Sequence, residues 1–330
     1  MNRLTLSIAV GDYDHVRDLL SGAVEVEGVK LIAAKRAPVE EIFYRFTQFR
    51  EWDISEMSFA KYASLLSQPN CDLIAIPVFP SRAFRHSSMY VRADSSYKSP
   101  ADLNGCKIGV PEWAQTASIY TRGLLVHDYG VPLDSVSWFQ AGVNESGRKE
   151  KVRLNLPQGV SYTPMPERSL ADLLCKGEID AVFSARPPAP FLKANGNLRR
   201  LFSDPQAEEL RYWRRSGVFP IMHVIVLKRS VWEAHPWIAM NLLQAFEKAK
   251  ISSLERRGDI TASSVPLPWI ADHANLSKSI LGEDFWPYGI EPNRATLTAF
   301  LQYAHEQGVS HRLLTPEELF IPSTLSAVRV

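Results

Sequence analysis

The sequence predicts an α/β protein of two lobes with a ligand cleft between them, and three observations lead there. Strand-like and helix-like segments alternate through roughly the first ninety residues. The alternation restarts after the polar stretch Ala93–Pro100 and continues to Ser184. An apolar run, Ile221–Leu227, then leads into a helical remainder, as though the chain returned to its first lobe. A length of 330 residues also suits two units at about 100–200 residues each.

The elements follow in order. Leu4–Val10 alternates as a strand, Val16–Leu20 is a short helix with Asp14 as its N-cap, and Val29–Ala33 is a second strand. Pro38–Phe49 places Ile42, Phe46 and Phe49 on one helical face. Asp53–Met57 and Leu73–Val78 read as strands around a helix at Phe59–Ser67. Strands separated by single helices imply a largely parallel sheet. In the second unit, Lys107–Val110 is a strand, and the helix after Pro111-Glu112 ends at Gly130, a left-handed cap with Pro132 beyond. Val136–Phe139 and Ile179–Ser184 are strands, Leu170–Lys176 is a helix, and Glu145–Pro166 reads as a long loop with a hairpin. Residues 187–216 read as irregular. The remainder predicts helices at Val231–Leu254 (capped by Ser230), Pro268–His273 and Pro292–His305. The expected lobes are therefore 1–93 with 220–330, and 94–219 inserted between them.

Composition narrows the function. Lys plus Arg number 37 against 36 Asp plus Glu, a balance without the basic field that attracts nucleic acid or an anionic membrane. No run approaches the roughly 20 apolar residues of a membrane span, and Leu4–Val10 is too short for a secretory h-region. A cytoplasmic protein is the expectation. Cys71, Cys106 and Cys175 are far apart and read as reduced and structural. The histidines show no HxH or HExxH spacing, and no GxGxxG, Walker or GxSxG motif is present. Neither a metal nor a cofactor is expected.

Two stretches carry a resemblance. Ser99-Pro100-Ala101-Asp102-Leu103-Asn104-Gly105-Cys106-Lys107-Ile108-Gly109-Val110 and Leu170-Ala171-Asp172-Leu173-Leu174-Cys175-Lys176-Gly177-Glu178-Ile179-Asp180-Ala181 are similar to segments of the second lobe in type II periplasmic binding proteins. Further matches cover nearly the whole chain: Gly11-Asp12-Tyr13-Asp14, Phe79-Pro80-Ser81-Arg82-Ala83-Phe84-Arg85-His86, Gly109-Val110-Pro111-Glu112 and Trp286-Pro287-Tyr288-Gly289. These resemble the 4,5-dihydroxyphthalate decarboxylase family. The resemblance implies a type II binding-protein fold, a small aromatic carboxylate in the interlobe cleft, and loss of CO2 from a dihydroxylated phthalate to leave protocatechuate.

That chemistry requires a proton donor over the ring carbon, a base for the phenol and a cationic seat for the second carboxylate. Arg82, Arg85 and His86 follow the strand Leu73–Val78, where open α/β sheets bind ligands. With the resemblance they become a carboxylate clamp and a proton donor; without it, a solvated basic turn. Glu112 joins the catalytic set at a strand-to-helix turn that favours anions, with Thr116 as a further donor, although plain capping explains both. Ser58 sits at another helix start, as a substrate contact or an N-cap. Asp12 and Tyr13 bind phenol hydroxyls or shape a turn. Arg186 is an opposing clamp or a surface residue before Pro187. His223, in the apolar return strand, is a second proton-donor candidate or a satisfied core residue. The aromatic-rich stretch Arg211–Phe219 suggests a homo-oligomer contact. The rival class is a protein that binds or senses the same aromatic acid without transforming it; CO2 release discriminates the two.

Overall fold

The structure is a computed structural model that describes residues 3–262 and 264–325. The first half-lobe runs β1 (Leu4–Ala9), α1 (Asp14–Ser21), β2 (Val29–Ala33), α2 (Val39–Phe49), β3 (Ile54–Ser58), α3 (Phe59–Leu66) and β4 (Leu73–Ile76). The chain then forms β5 (Met89–Arg92), β6 (Lys107–Val110), α4 (Thr116–His127), β7 (Ser137–Gly142), β8 (Ser161–Ser169), α5 (Leu170–Cys175), β9 (Ala181–Phe183), β10 (Leu198–Arg200) and α6 (Pro205–Ser216). It returns through β11 (His223–Lys228) and closes with α7 (Arg229–Ala234), α8 (Ile238–Gly258), α9 (Ile270–Leu281) and α10 (Arg294–Glu306).

Two mixed sheets result. The first has the order β2-β1-β3-β11-β4 and the second β10-β5-β9-β6-β7-β8. In the first, β1 is parallel to β2 and β3, while β11 runs antiparallel between β3 and β4. Strand β3 is buried at every position, as a central strand covered on both faces must be. Segments 77–88 and 217–222 cross between the sheets side by side and antiparallel. Ala83 N–H donates to Pro220 O at 3.1 Å, and Met222 N–H to Ser81 O at 2.8 Å. Because β5 pairs with β9 and β10, sheet membership puts the first crossing at 77–88, ahead of residue 93. Helix α10 packs on both α3 and α4, so the C-terminal region ties the two lobes together.

Several elements differ from the sequence reading for local reasons. The stretch expected as a long loop with a hairpin contains the start of β8, which among the described residues is an edge strand paired with β7 alone and holds Pro164 and Pro166; edges tolerate proline. Residues 205–216 form α6, capped by Asp204, whose carboxylate accepts Ala207 N–H, and ended by left-handed Gly217. The expected helix at 231–254 is two helices, broken before Pro236, whose ring cannot continue the first. It begins at Arg229, so Ser230 is no cap. Asp14 is the first residue of α1 and pairs with Arg17 at 2.9 Å instead of capping it. The helix expected at Pro268–His273 runs instead from Ile270 to Leu281.

Candidate active site

The carboxyl ends of β1 and β3 meet the start of β11, where Tyr13, Glu56 and His223 come together. Glu56 is fully buried, and its Oε1 accepts the Tyr13 hydroxyl at 2.8 Å and lies 2.6 Å from His223 Nδ1. Oε2 accepts the backbone N–H of Gly11 at 2.7 Å. A carboxylate in an apolar strand is costly unless its acceptors are used, and here both oxygens are. Gly11 is required by space: a Cβ there would lie 2.8 Å from the Tyr13 ring and from Val39 Cγ1. Burial, then the Glu56 charge, pushes the Tyr13 phenol well above its ordinary range, so it stays a protonated donor. The edge of His223 meets Phe43 at 4.8 Å between centroids. With Nδ1 committed to Glu56, and no hydrogen bond to Nε2 among the described residues, Nε2 is the nitrogen left for a ligand. The sequence names Tyr13 and His223 as candidates and gives no such signal for Glu56 at first sight. The available signal was an acidic residue in Ile54-Ser55-Glu56-Met57-Ser58, an otherwise buried strand.

Beside this group the lobes touch. Ser58, strand partner of His223, has its hydroxyl 3.0 Å from that of Thr116, which also accepts Ala60 N–H at 3.1 Å. Both side chains thus knit the lobes together rather than standing free. Glu112 is 1% exposed and pairs with Arg148 at 2.8 Å, Lys151 at 3.2 Å and Lys61 at 3.3 Å. Burial alone would raise its carboxyl, but Lys61, then Arg148 and Lys151, outweigh it and hold the group below its ordinary value. It is a fixed anion, not a proton carrier at neutral pH. The anion seat expected at the following turn is filled by the chain itself: Glu150 accepts Trp113 N–H at 2.6 Å and Ala114 N–H at 3.2 Å.

The Arg82–Arg85–His86 group, expected as carboxylate clamp and proton donor, lies in the crossing segment 77–88 and is engaged with other parts of the chain. Arg82 donates to Phe219 O at 3.2 Å, Pro287 O at 2.7 Å and the side chain of Asn293, with its guanidinium among Phe79, Phe219 and Trp286. That geometry staples the hinge to the C-terminal region and leaves no fork for a carboxylate. Arg85 rests its Nε on Met222 S at 3.1 Å, and burial pushes it down to about 10, still charged at neutral pH. His86 is 2% exposed, packed by Phe202 and Tyr212, with Nδ1 buried and unpartnered. Burial, then Arg211 and Arg215, pushes it down to about 4. Burial therefore favours the neutral form of His86 over the imidazolium.

Asp12 and Arg186 also fall outside. Asp12 is exposed and pairs with Arg36 at 3.0 Å. Arg186, on the second lobe, pairs with Glu40 of α2 on the first at 2.7 Å. The aromatic stretch near Arg211 is used within the chain: Trp213 donates to Ile280 O, and Phe219 stacks on Phe84. Among the described residues no group of three His, Cys, Asp or Glu side chains forms a metal-ligand set.

No family model matches the sequence. Over 331 residues it is 41% identical to the 4,5-dihydroxyphthalate decarboxylase of Comamonas testosteroni, with 100% of both chains covered. It is also 41% identical over 215 residues to that of Pseudomonas putida, covering 65% of this chain and 83% of the other. Among solved structures, the periplasmic aliphatic sulphonate binding protein SsuA of Escherichia coli superposes with a TM-score of 0.52 at 14% identity, covering 97% of this chain and 92% of that one. The desulfurization enzyme DszB gives 0.52 at 16% identity, with 98% of each chain covered. At such identities the likeness concerns the fold alone, and the two-lobed solute-binding architecture expected from the sequence is the architecture found.

Proposed function

Because the chain belongs to the 4,5-dihydroxyphthalate decarboxylase family, a family of carboxy-lyases, we propose that it converts 4,5-dihydroxyphthalate to protocatechuate and CO2 in the interlobe cleft. The hydroxyl para to the departing carboxylate shares its proton in a hydrogen bond and pushes electron density into the ring. The ring carbon bearing that carboxylate takes a proton from Nε2 of the His223 imidazolium, whose other N–H stays on Glu56, and His223 regains a proton from solvent after each turnover. The bond to the carboxylate then breaks, its electron pair restores aromaticity, and neutral CO2 leaves. One proton is consumed and one C–C bond becomes C–H, so the step balances without an oxidant or reductant.

The observation that carries this reading is the buried carboxylate of Glu56 on His223 Nδ1 at 2.6 Å. Such a contact fixes the ring and its tautomer and leaves the opposite nitrogen to work on a ligand. Tyr13, held protonated on the same carboxylate, supports the ring from the side. The test mixes chelator-treated protein with 4,5-dihydroxyphthalate and follows both products. Equimolar CO2 and protocatechuate are expected; tight binding of the substrate with no CO2 released, with or without added divalent metal, would overturn the reading in favour of a binding protein.

We further infer that the reaction runs in the cytoplasm, whose reducing conditions suit three free thiols at Cys71, Cys106 and Cys175. Among the described residues no helix is long and apolar enough to cross a membrane. A homo-oligomer is also inferred, supported by the exposed apolar side chains of Leu267, Trp269 and Leu276. A monomeric mass by sedimentation would refute it.

A further inference from the structure

Three cations converge on one buried carboxylate where the lobes meet, and protonation by His223 makes no use of them. Lys61 reaches Glu112 from α3 of the first lobe, three residues beyond Ser58, the strand partner of His223. Arg148 and Lys151 reach it from the segment after β7 in the second lobe. That segment folds back over the end of its strand because Gly142 has no side chain; a Cβ there would lie 1.9 Å from Glu145 O. The nearby carboxylate of Glu150 is occupied by the N–H groups of Trp113 and Ala114, and burial, then Glu112, pushes its acid upward. Glu112 is thus the one carboxylate, among those described, that pairs with all three cations. Positive charge is left over at this junction.

The excess is reachable. Arg148 keeps 28% of its side-chain surface exposed and Lys151 39%. Arg148 spends Nε and Nη2 on Glu112, both at 2.8 Å, which leaves Nη1 without a hydrogen bond among the described residues. Its charge also acts on Glu40 across the lobes. A guanidinium held by one fixed carboxylate, with an edge still free, is pre-organised to take a second carboxylate. We propose that Arg148, assisted by Lys151, binds the retained carboxylate of the substrate and thereby sets a preference for a phthalate over a benzoate. This rests on the decarboxylase reading for its substrate, and it identifies a recognition residue in place of Arg82.

The test measures binding of phthalate and of benzoate, two unreactive probes, to wild type and to Arg148→Gln, Arg148→Lys and Lys151→Gln by calorimetry, with kinetics on 4,5-dihydroxyphthalate alongside. Wild type should favour phthalate, and Arg148→Gln should weaken phthalate about ten- to a hundredfold, the range of one charge-assisted contact. Benzoate, whose single carboxylate can take the departing group's place instead, should weaken by less than phthalate, and the Michaelis constant should rise while turnover stays within about threefold. Arg148→Lys should recover part of the loss. Lys151→Gln, at a more exposed position, should move phthalate the same way by less, which keeps the idea testable should Arg148→Gln fold poorly. A wild type indifferent between the probes, or folded variants that keep the wild-type ratio, would overturn the proposal. A wild type that prefers phthalate through Arg148 yet releases no CO2 from 4,5-dihydroxyphthalate would remove the decarboxylase reading and leave this site standing.

Discussion

His86 lies in one crossing segment and His223 directly follows the other, yet their surroundings make them different reagents. His86 lies between Phe202 and Tyr212 with Nδ1 buried and unpartnered. His223 also touches an aromatic ring, Phe43, but its Nδ1 meets the carboxylate of Glu56. The hinge spends its arginine and histidine on packing: Arg82 is tied to two carbonyls and Asn293. The cleft wall spends its polar groups on one another and leaves one nitrogen over. A histidine beside arginines after a strand looks catalytic in a sequence, but what decides is whether a carboxylate partner arrives from elsewhere in the chain.

The sharpest way to break this comparison is to remove each ring in turn. His223→Ala should lower turnover by about 10²–10⁴, the usual worth of a general acid, with the substrate still bound. His86→Ala should leave turnover within about tenfold and act mainly on stability. Steady-state kinetics of the two folded variants decides, and the reverse ranking would return the donor role to the hinge.

The hinge histidine has its own signature in pH. Folded His86 is pushed down to about 4 by burial, whereas an unfolded histidine titrates near 6.5. Below that value the unfolded chain binds the extra proton and the folded one does not. Stability is therefore complete above about pH 6.5 and falls as pH drops toward 4, by roughly 3 kcal/mol in all. His15, also pushed down to about 4 by burial, acts in the same direction. Urea denaturation from pH 8 to 4.5 should show a shallower decline for His86→Gln than for wild type. Parallel curves would mean that His86 binds its proton equally well folded and unfolded, and the contrast with His223 would lose its basis.

A smaller effect is expected at the carboxylate itself. Glu56→Gln keeps the size of the side chain, but its one carbonyl oxygen can serve either Gly11 or the Tyr13–His223 pair and not both, and it removes the charge facing His223. A positioning partner of this kind contributes about ten- to a hundredfold, so turnover should fall by that factor and its pH profile should shift. A merely structural Glu56 would alter stability and leave the profile in place. Glu56→Asp, which retains the charge at a shorter reach, should recover part of the turnover.

These contrasts also explain what could be read in the sequence. The strands of the first sheet are short apolar runs between turn signals, and β2 and β6 fall at the residues expected. β8 escaped because an exposed edge strand with two prolines carries neither alternation nor an apolar run. α6 was legible in retrospect, since Asp204-Pro205 and Gly217 mark its ends. The site was half legible. Tyr13 and His223 each stood out locally, but the group they form depends on a contact 167 residues apart in the chain, between Glu56 and His223. Arg148 lies in a charged loop without period, and its value comes from Glu112 and Lys61, which the fold brings to it. Local pattern predicts elements; long-range pairing assembles sites.

The smallest effect concerns Arg186, expected from the sequence to face the substrate and found on Glu40 instead. The two side chains are 67% and 43% exposed, and exposed pairs contribute about 0–1 kcal/mol after screening and side-chain entropy. Arg186→Gln should therefore change the Michaelis constant by less than about fivefold, and raised salt should have the same effect on wild type. The pair joins opposite lobes, so its loss acts on the closed arrangement as a whole rather than on any substrate atom. Phthalate and benzoate should then weaken together, unlike the selective loss expected at Arg148. A rise of the Michaelis constant beyond about tenfold, confined to phthalates, would mean that Arg186 leaves Glu40 for the substrate carboxylate when the cleft is filled. The cation that recognises the ligand would then be the one that latches the lobes, and recognition and closure would be a single event.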